Sequence, residues 1–320
     1  RVFGIALSPD KEPSLWSVAD LAGIIDGSFT DIRDPSALTE QVLAFDPEIA
    51  FHLAAQPLVR ASYRDPIETY ATNVMGTVHL LDALRHSKSV KAIVVVTTDK
   101  CYDNQEWQWP YRETDQLGGF DPYSNSKACA ELVCASYRDA FFSTAGVALA
   151  TARAGNVIGG GDWGADRLVP DVLRAWDAGE ELVLRYPGAT RPWQHVLEPL
   201  AGYLTLAEHL MTDGLNGASA WNFGPDGASV ASVESVVMRL AKHWSADKAR
   251  WCCVEEGQPH EAGLLALDSS RARQILGWQT RWSLDIALQQ TLAWHLAWRD
   301  GEDMQAFCRQ QIALYQGESV

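Results

Sequence analysis

The sequence Ala92-Ile93-Val94-Val95-Val96-Thr97-Thr98-Asp99-Lys100 decides the fold, because an apolar run ends abruptly in polar residues. A short run rich in valine predicts a strand that is buried on both faces, as in a parallel sheet. Ligands of such sheets bind just beyond the carboxyl ends of the strands. Thr98, Asp99 and Lys100 are therefore candidates for a functional site, although an ordinary polar strand end would have the same composition.

A second segment, Tyr123-Ser124-Asn125-Ser126-Lys127, opens a predicted helix. Tyr123 and Lys127 are four residues apart and so lie on one face of that helix. A lysine ammonium near a phenol lowers the pKa of the phenol, which lets a tyrosine act as a general base at neutral pH. The same pattern also fits an amphipathic helix start with a solvated lysine. Its position after the buried strand favours the catalytic interpretation.

Alternation of apolar runs with helical patterns predicts βαβ units, and hence an α/β protein with a Rossmann-like, doubly wound parallel sheet. We expect residues 1–160 to form this sheet domain and residues 161–320 to form mainly a smaller, interleaved C-terminal lobe, with some chain returning to the first domain. The predicted strands are Glu48–Leu53, Lys91–Thr97, Ala148–Ala152 and Leu182–Arg185. The predicted helices are Pro35–Ala44, Thr69–His86, Tyr123–Phe141 (with Asp121 as N-cap and Pro122 first) and Leu168–Ala178.

Composition narrows the classes of partner. A net charge of −15 over 320 residues argues against nucleic acid and anionic membranes. The six cysteines lack the spacing of metal ligands or of a disulfide framework, which predicts reduced thiols, no metal site and a cytoplasmic location. No apolar run reaches the about 20 residues that span a bilayer, and no signal peptide is visible.

The first residues present an anomaly. Val2-Phe3 has the character of one strand's end and Gly4-Ile5-Ala6-Leu7 that of a second strand. Neighbouring parallel strands need a crossover of about a dozen residues or more, which in dinucleotide-binding folds carries a glycine-rich turn. No such turn occurs in the first hundred residues. Either the crossover is deleted from the protein, or it is a disordered segment that the sequence omits, so that the residues on its two sides stand next to each other. The second alternative is favoured, because a deletion should disrupt the sheet.

From about Ser14 to Asp300 the sequence resembles the extended short-chain dehydrogenase/reductase family, and within it the branch that dehydrates CDP-sugars. Tyr-x-x-x-Lys and Asn156-Val157-Ile158-Gly159 match the whole family, whereas Thr98-Asp99-Lys100-Cys101-Tyr102 and Gly159-Gly160-Gly161-Asp162-Trp163 match that branch. In thymidine-nucleotide relatives a glutamate stands where this chain has Lys100. Further similarity lies in Asp31–Asp34, Phe51–Arg60, Thr72–Thr77, Asp103-Asn104, Arg153-Ala154-Gly155, Arg191–Val196, Trp221–Gly224 and Pro259–Ala262.

The resemblance implies conversion of CDP-D-glucose to CDP-4-keto-6-deoxy-D-glucose and water, with NAD reduced and regenerated in one site. It implies the catalytic residues Thr98, Asp99, Lys100, Tyr123 and Lys127. It implies cofactor contacts from Asp31, Ile32, Leu53, Ala54, Ala55, Gln56, Thr72, Thr97, Tyr123 and Lys127, and so assigns NAD binding to residues 1–160. It implies substrate contacts from Asn156, Arg167, Leu168, Arg191, Asn222 and His260.

Several of these residues have ordinary structural interpretations as well. Asp31 could be a helix N-cap, although Asp34 is better placed, and Ala54-Ala55 could serve only close packing of a strand against a helix. Arg167 or Arg191 could form a surface ion pair. Turn chemistry alone would explain Asn156 and Asn222.

Three other functions compete with dehydration. A sugar-nucleotide 4-epimerase would need Thr98, Tyr123 and Lys127 but not the Asp99–Lys100 pair. A nucleotide-sugar-binding protein without catalysis would follow if the glycine-rich turn were truly absent. A structural or interaction protein would make both motifs coincidental. The resemblance also implies a homodimer or homotetramer built on the predicted helices Thr69–His86 and Tyr123–Phe141.

Overall fold

The structure is a computed structural model, and it describes residues 1–225, 227–244, 249–253 and 263–318. The predicted α/β class with a parallel sheet is confirmed. The strands are β1 (Phe3–Ala6), β2 (Asp26–Phe29), β3 (Ile49–His52), β4 (Ala92–Val96), β5 (Ala148–Ala154), β6 (Asn156–Ile158), β7 (Leu182–Leu184), β8 (Thr190–His195), β9 (Ala220–Phe223), β10 (Val230–Ser232) and β11 (Trp251–Cys253).

The helices alternate with these strands in the first half and dominate the second. They are α1 (Leu15–Val18), α2 (Pro35–Phe45), α3 (Val59–Arg64), α4 (Pro66–Tyr70), α5 (Gly76–Leu84), α6 (Pro122–Tyr137), α7 (Ser143–Ala145), α8 (Leu168–Asp177), α9 (Leu197–Asp213), α10 (Val233–Ala241), α11 (Leu284–Arg299) and α12 (Met304–Gln316). No helix in the described ranges has both the length and the apolarity to cross a bilayer.

The central sheet is parallel and has the order β3-β4-β5-β9. Helices cover both faces of this sheet: α9 packs on one, and α2, α5 and α6 pack on the other. Because β9 comes from the second half of the chain, the two halves are interleaved. A further apolar core lies between α8, α10 and α11 and encloses Trp176 and Trp193.

The prediction that Phe3 and Gly4 belong to two different strands is wrong. Phe3 to Ala6 form one continuous strand, β1, which pairs in parallel with Asp26 to Phe29 of β2, residue by residue. The pairing concerns only the residues present, so a segment missing between Phe3 and Gly4 stays a prediction. The β1–β2 pair is separate from the central sheet, and β3 is an edge strand of that sheet among the described residues, with exposed Ile49 and Phe51.

The predicted helix Thr69–His86 is also interrupted. A π-helical turn, Ala71–Met75, separates α4 from α5. The predicted caps are confirmed: Asp34 accepts backbone hydrogen bonds at the start of α2, and Asp121 accepts one from Ser124 at the start of α6. These capping carboxylates satisfy donors that lack partners within the first helical turn, which fixes where each helix begins.

Two histidines in the interior make the fold sensitive to acid. His52 is buried and its Nε2 lies 3.0 Å from the Thr77 hydroxyl oxygen, whereas Nδ1 of buried His195 accepts from the Leu197 amide. Burial lowers the pKa of His52 to about 3 and that of His195 to about 4. Both side chains are therefore neutral in the folded protein, whereas in the unfolded chain they titrate near their ordinary pKa of about 6.5.

We expect the free energy of unfolding to be independent of these groups above about pH 7 and to fall as the pH drops toward 4, because only the unfolded chain gains the protons. Each of the two histidines should lower the free energy of unfolding by about 2 kcal/mol between pH 7 and pH 5. Urea unfolding at pH 7 and pH 5 measures the loss. In His52→Gln the difference in unfolding free energy between the two pH values should be smaller. In the control His86→Gln, which changes an exposed histidine, the difference should equal that of the parent protein. Equal unfolding free energies at both pH values would contradict this account.

Candidate active site

Three neighbouring parallel strands end at the same edge of the central sheet. β3 leads into Ala54-Ala55, β4 into Thr97-Thr98, and β5 into Gly155. A Cβ on Gly155 would lie 2.6 Å from the Pro192 ring and 3.3 Å from Asp99 Oδ2. Glycine at this position therefore allows β8 and the Asp99 carboxylate to approach the end of β5 closely.

Asp99 and Lys100 lie in a single 3₁₀ turn, Asp99–Cys101, directly after β4. The Thr98 hydroxyl donates to Asp99 Oδ1 at 3.1 Å and accepts from the Lys100 amide at 3.4 Å. Lys100 Nζ donates to the same Asp99 oxygen at 3.3 Å. Asp99 is completely buried and its Oδ2 has no hydrogen-bond partner among the described residues, whereas a quarter of the Lys100 side chain (26%) is exposed. The turn thus holds a buried carboxyl group against an accessible amine.

Tyr123 and Lys127 are both buried on α6, but the structure corrects the predicted relation between them. Lys127 Nζ donates to the Val96 carbonyl at 3.0 Å, at the end of β4. Burial raises the pKa of Tyr123 to about 12, although hydrogen bonding with Thr98 acts in the opposite direction. Burial also lowers the pKa of Lys127 to about 8. Because burial outweighs the neighbouring charges, the phenol stays protonated at neutral pH in this state.

A cleft of about 1040 Å³ opens above these strand ends and extends toward α8 and β7. Seven of the predicted site residues line it: Thr98, Lys100, Tyr123, Asn156, Arg167, Leu168 and Arg191. Asn156 Oδ1 is buried without a hydrogen-bond partner among the described residues. Buried oxygens of this kind are rare in proteins unless a ligand or water completes their hydrogen bonding.

Apart from Tyr123, the predicted cofactor residues lie outside the lining of this cleft, most of them at the carboxyl ends of β2, β3 and β4, and Lys127 on α6. Asp31 is held by Arg33, whose hydrogen bonds keep the pKa of that carboxyl below its ordinary value. Gln56 donates to Thr69, and Thr97 donates to Glu131 at 2.5 Å. Ile32 packs in the core, Leu53 is exposed, and Ala54, Ala55 and Thr72 are partly buried.

One predicted substrate residue, Asn222, does not line the cleft. Asn222 is fully buried: its Oδ1 accepts from the Tyr102 hydroxyl, and its Nδ2 donates to the carbonyls of Tyr111 and Asp268. With both ends of its amide engaged, Asn222 stabilises β9 and its surroundings instead of facing a ligand. His260 lies outside the described residues.

Two arginines in the cleft were missed as site residues. Arg60 on α3 and Arg185 after β7 approach Asp166 Oδ1 from different elements, at 3.7 and 3.1 Å. Arg60 lies in the Phe51–Arg60 stretch, and Arg185 ends a short predicted strand. Arg185 could have been predicted as a site residue, because it is a basic residue at the carboxyl end of a predicted strand. With Arg167 and Arg191, these side chains place four guanidinium groups, whose planar forks suit phosphate oxygens, among the aspartates that also line the cleft.

A buried parallel strand that ends in Thr-Asp-Lys, followed by a Tyr-x-x-x-Lys helix beside a cleft lined by arginines, defines an extended short-chain dehydrogenase/reductase. The sequence model described as GDP-mannose 4,6 dehydratase matches residues 25–291, and the chain belongs to this family. The chain is 49% identical over 319 residues to a CDP-glucose 4,6-dehydratase of Salmonella typhimurium, covering 98% of this chain and 89% of that protein. The predicted family is thereby confirmed.

More distant relatives show the breadth of the family. A UDP-glucose 4-epimerase of Halalkalibacterium halodurans is 30% identical over 284 residues, which is 83% of this chain and 81% of that protein. A solved UDP-glucose-4-epimerase from Stenotrophomonas maltophila with bound NAD superposes with a TM-score of 0.80 at 19% identity, covering 94% of this chain and 92% of that one. A solved dTDP-glucose 4,6-dehydratase from Streptomyces venezuelae with NAD superposes with a TM-score of 0.75 at 21% identity, covering 89% of this chain and 84% of that one. These structures support the fold.

Proposed function

We propose that this chain is a CDP-glucose 4,6-dehydratase. It would convert CDP-D-glucose to CDP-4-keto-6-deoxy-D-glucose and water. The observation that carries the proposal is the Asp99–Lys100 pair, with carboxylate and ammonium 3.3 Å apart in one turn beside Thr98 and Tyr123. An epimerase has no step that needs such a pair. The 49% identity to a CDP-glucose 4,6-dehydratase supports the same substrate and reaction.

The residues present fit the nicotinamide end of NAD better than its pyrophosphate. Small side chains follow β3, and Tyr123, Thr98 and Lys127 lie at the next strand end and on α6, where the nicotinamide and its ribose would be held. Asp31, at the end of β2, would face the adenine. The sequence has no glycine-rich turn after β1. When bound, NAD supplies a positively charged hydride acceptor for C4 that later returns the hydride to C6.

Tyr123 would remove the proton of the C4 hydroxyl while C4 is oxidised, with Thr98 as hydrogen-bond partner. The phenol has a pKa of about 12 in its present surroundings, so it needs additional positive charge nearby to ionise at neutral pH. The positive charge of the oxidised nicotinamide would favour the phenolate, and Lys127 would orient the cofactor ribose. A ketone at C4 makes the C5 proton acidic, because the resulting carbanion is delocalised onto oxygen.

Asp99 and Lys100 would then carry out the elimination. Lys100 takes the proton from C5, and Asp99 gives a proton to the departing C6 hydroxyl, which leaves as water. The Lys100 ammonium would give a proton back to C5 when the hydride returns to C6. A neutral amine facing a carboxylic acid contains the same number of protons as the ammonium–carboxylate pair. Proton transfer across their hydrogen bond therefore prepares the reactive form, and the elimination itself restores the ion pair.

The nucleotide would occupy the part of the cleft that the arginines line. Arg167 and Arg191 are proposed to contact the diphosphate, Leu168 the apolar part of the ligand, and Asn156 a sugar hydroxyl through its unpartnered Oδ1. His260 stays a prediction for substrate contact.

We further propose a cytoplasmic homodimer or homotetramer. All six cysteines are free thiols, which suits a reducing compartment. Exposed apolar side chains on the helices predicted to form the interface, Met75 and Leu132, would be covered by a second copy, as would Ile67 on α4, just before the first of those helices. Sedimentation at micromolar concentration tests the assembly; a monomer throughout would contradict it.

The function is tested by incubating the chain with CDP-glucose and NAD and identifying the product by NMR. A 4-keto-6-deoxy sugar supports the proposal, whereas a 4-epimer indicates an epimerase. Binding of CDP-glucose without turnover indicates a non-catalytic binding protein. UDP-glucose and dTDP-glucose, which differ in the base, serve as matched substrates for the proposed preference for cytosine.

A further inference from the structure

A buried ion pair lies directly beneath the candidate active site. Glu131 on α6 and Arg153 on β5 are both almost completely buried. Arg153 Nε and Nη2 each donate to a different oxygen of the Glu131 carboxylate, at 2.9 Å in both cases. This bidentate arrangement is the most directional contact that the two groups can form.

The same carboxylate accepts two further hydrogen bonds from the sheet. The Thr97 hydroxyl, at the end of β4, donates to Oε1 at 2.5 Å, and the Thr151 hydroxyl on β5 donates to Oε2 at 2.7 Å. Although burial acts in the opposite direction, the hydrogen bonds from Arg153 keep the pKa of Glu131 below its ordinary value. The ionised carboxylate therefore fixes α6 against two strands.

The guanidinium of Arg153 extends the contact to the catalytic turn. Its Nη1 donates to the Tyr102 hydroxyl at 2.8 Å, and its carbon lies 4.8 Å from the centre of the Tyr102 ring. Tyr102 follows the Asp99–Cys101 turn directly, and its hydroxyl donates to Asn222 Oδ1 on β9 at 2.7 Å. The network thus joins α6, β4, β5, β9 and the turn that carries Asp99 and Lys100.

Tyr123, Lys127 and Glu131 recur every four residues along α6 and occupy one face of it. Shifting Glu131 would therefore shift both residues that precede it on that face. A buried ion pair is a weak source of stability, since apolar replacements are often equally stable or more so. The placement of this pair indicates a role in geometry.

We propose that Glu131 and Arg153 are positioning residues that hold the Tyr123–Lys127 face of α6 in register with the Asp99–Lys100 turn. This inference rests on the proposed function for its kinetic consequences, whereas its structural consequence is independent of it. Neither residue lines the cleft, so substrate affinity should not depend on them.

The test uses the double variant Glu131→Gln/Arg153→Met, which removes both charges and so leaves no uncompensated buried ion. Glu198→Gln is the matched control. Glu198 is a fully buried carboxylate that accepts the amides of Arg281 and Trp282, away from the cleft. Both proteins are assayed with CDP-glucose and NAD well below their melting temperatures, after circular dichroism has shown that they are folded.

We expect kcat of the double variant to fall at least about tenfold with KM for CDP-glucose unchanged within about twofold, because a misplaced catalytic group affects the transition state. The control should keep both constants. Glu131→Asp retains the charge but shortens its reach, and should also lower kcat. A folded double variant with the parental kcat would overturn the proposal.

The pH dependence of kcat is a second measurement, and it should not change if Glu131 and Arg153 serve only the stability of the fold. Burial lowers the pKa of Lys127 to about 8 and Glu131 raises it; the other titratable groups near Lys127 are Cys134, Cys101 and His52. Loss of the Glu131 charge alone, in Glu131→Gln, should therefore move the alkaline limb of kcat to lower pH. Glu131→Asp should keep the parental limb. An unchanged limb in Glu131→Gln would contradict the proposed coupling.

A crystal structure of the double variant tests the positioning without any assay. We expect the hydrogen bond between Lys127 Nζ and the Val96 carbonyl to lengthen and the Asp99–Cys101 turn to move relative to Tyr123. An unchanged arrangement would overturn the inference even if the parent protein had no dehydratase activity. Conversely, absence of a 4-keto product from the parent overturns the proposed function alone.

Discussion

Replacing Tyr123 with phenylalanine is expected to abolish reduction of bound NAD by CDP-glucose. The hydroxyl is the group proposed to take the C4 proton, and general-base catalysis is worth about 10²- to 10⁴-fold in rate. Phenylalanine fills the same volume in this buried position, so the fold should be kept. Stopped-flow absorbance at the NADH band measures the effect directly, because no transient should follow mixing.

The control for this variant is Tyr137→Phe, which changes a tyrosine on the same helix that packs against Phe141 and Phe142 away from the cleft. That variant should give the parental transient. A normal transient from Tyr123→Phe would show that another group takes the C4 proton.

Replacing Lys100 with methionine should separate oxidation from elimination. C4 oxidation uses Thr98 and Tyr123, so NADH should still form, but the C5 proton has lost its base. We expect water loss to fall by about 10² or more while NADH accumulates on the protein. The release of the 4-keto-6-deoxy sugar, followed by NMR, measures the second step.

Lys91→Met is the matched control, since Lys91 precedes β4 at the edge of the sheet opposite the cleft and pairs with Glu48 on the surface. It should leave both steps at the parental rate. Formation of the normal product by Lys100→Met at the parental rate would remove Lys100 from the proposed mechanism.

The elements that depend on local sequence could be predicted closely. The valine-rich run became β4, and Asp121-Pro122 became the start of α6, because strand burial and capping are properties of adjacent residues. The expectation of two strands at Phe3 and Gly4 was wrong because a short β-prone run does not reveal whether it forms one strand or two. The π-helical turn at Ala71–Met75 has no equally simple sequence signal.

The candidate site could be predicted in residue type but not in contacts. Thr98, Lys100 and Tyr123 do line one cleft, since strand ends and helix faces follow from periodicity. The partner of Lys127 could not be predicted, because the hydrogen bond to Val96 depends on how α6 packs on β4. For the same reason the buried amide of Asn222 and the Glu131–Arg153 pair could not be predicted from spacing.

The central claim, that oxidation and dehydration occur on one sugar in one site, is tested most directly with CDP-glucose that carries deuterium at C4. The account predicts a 4-keto-6-deoxy product whose C6 methyl group contains that deuterium, with no net consumption of NAD. A product with deuterium retained at C4 in the epimeric configuration, or a C6 methyl group free of the label, would contradict it.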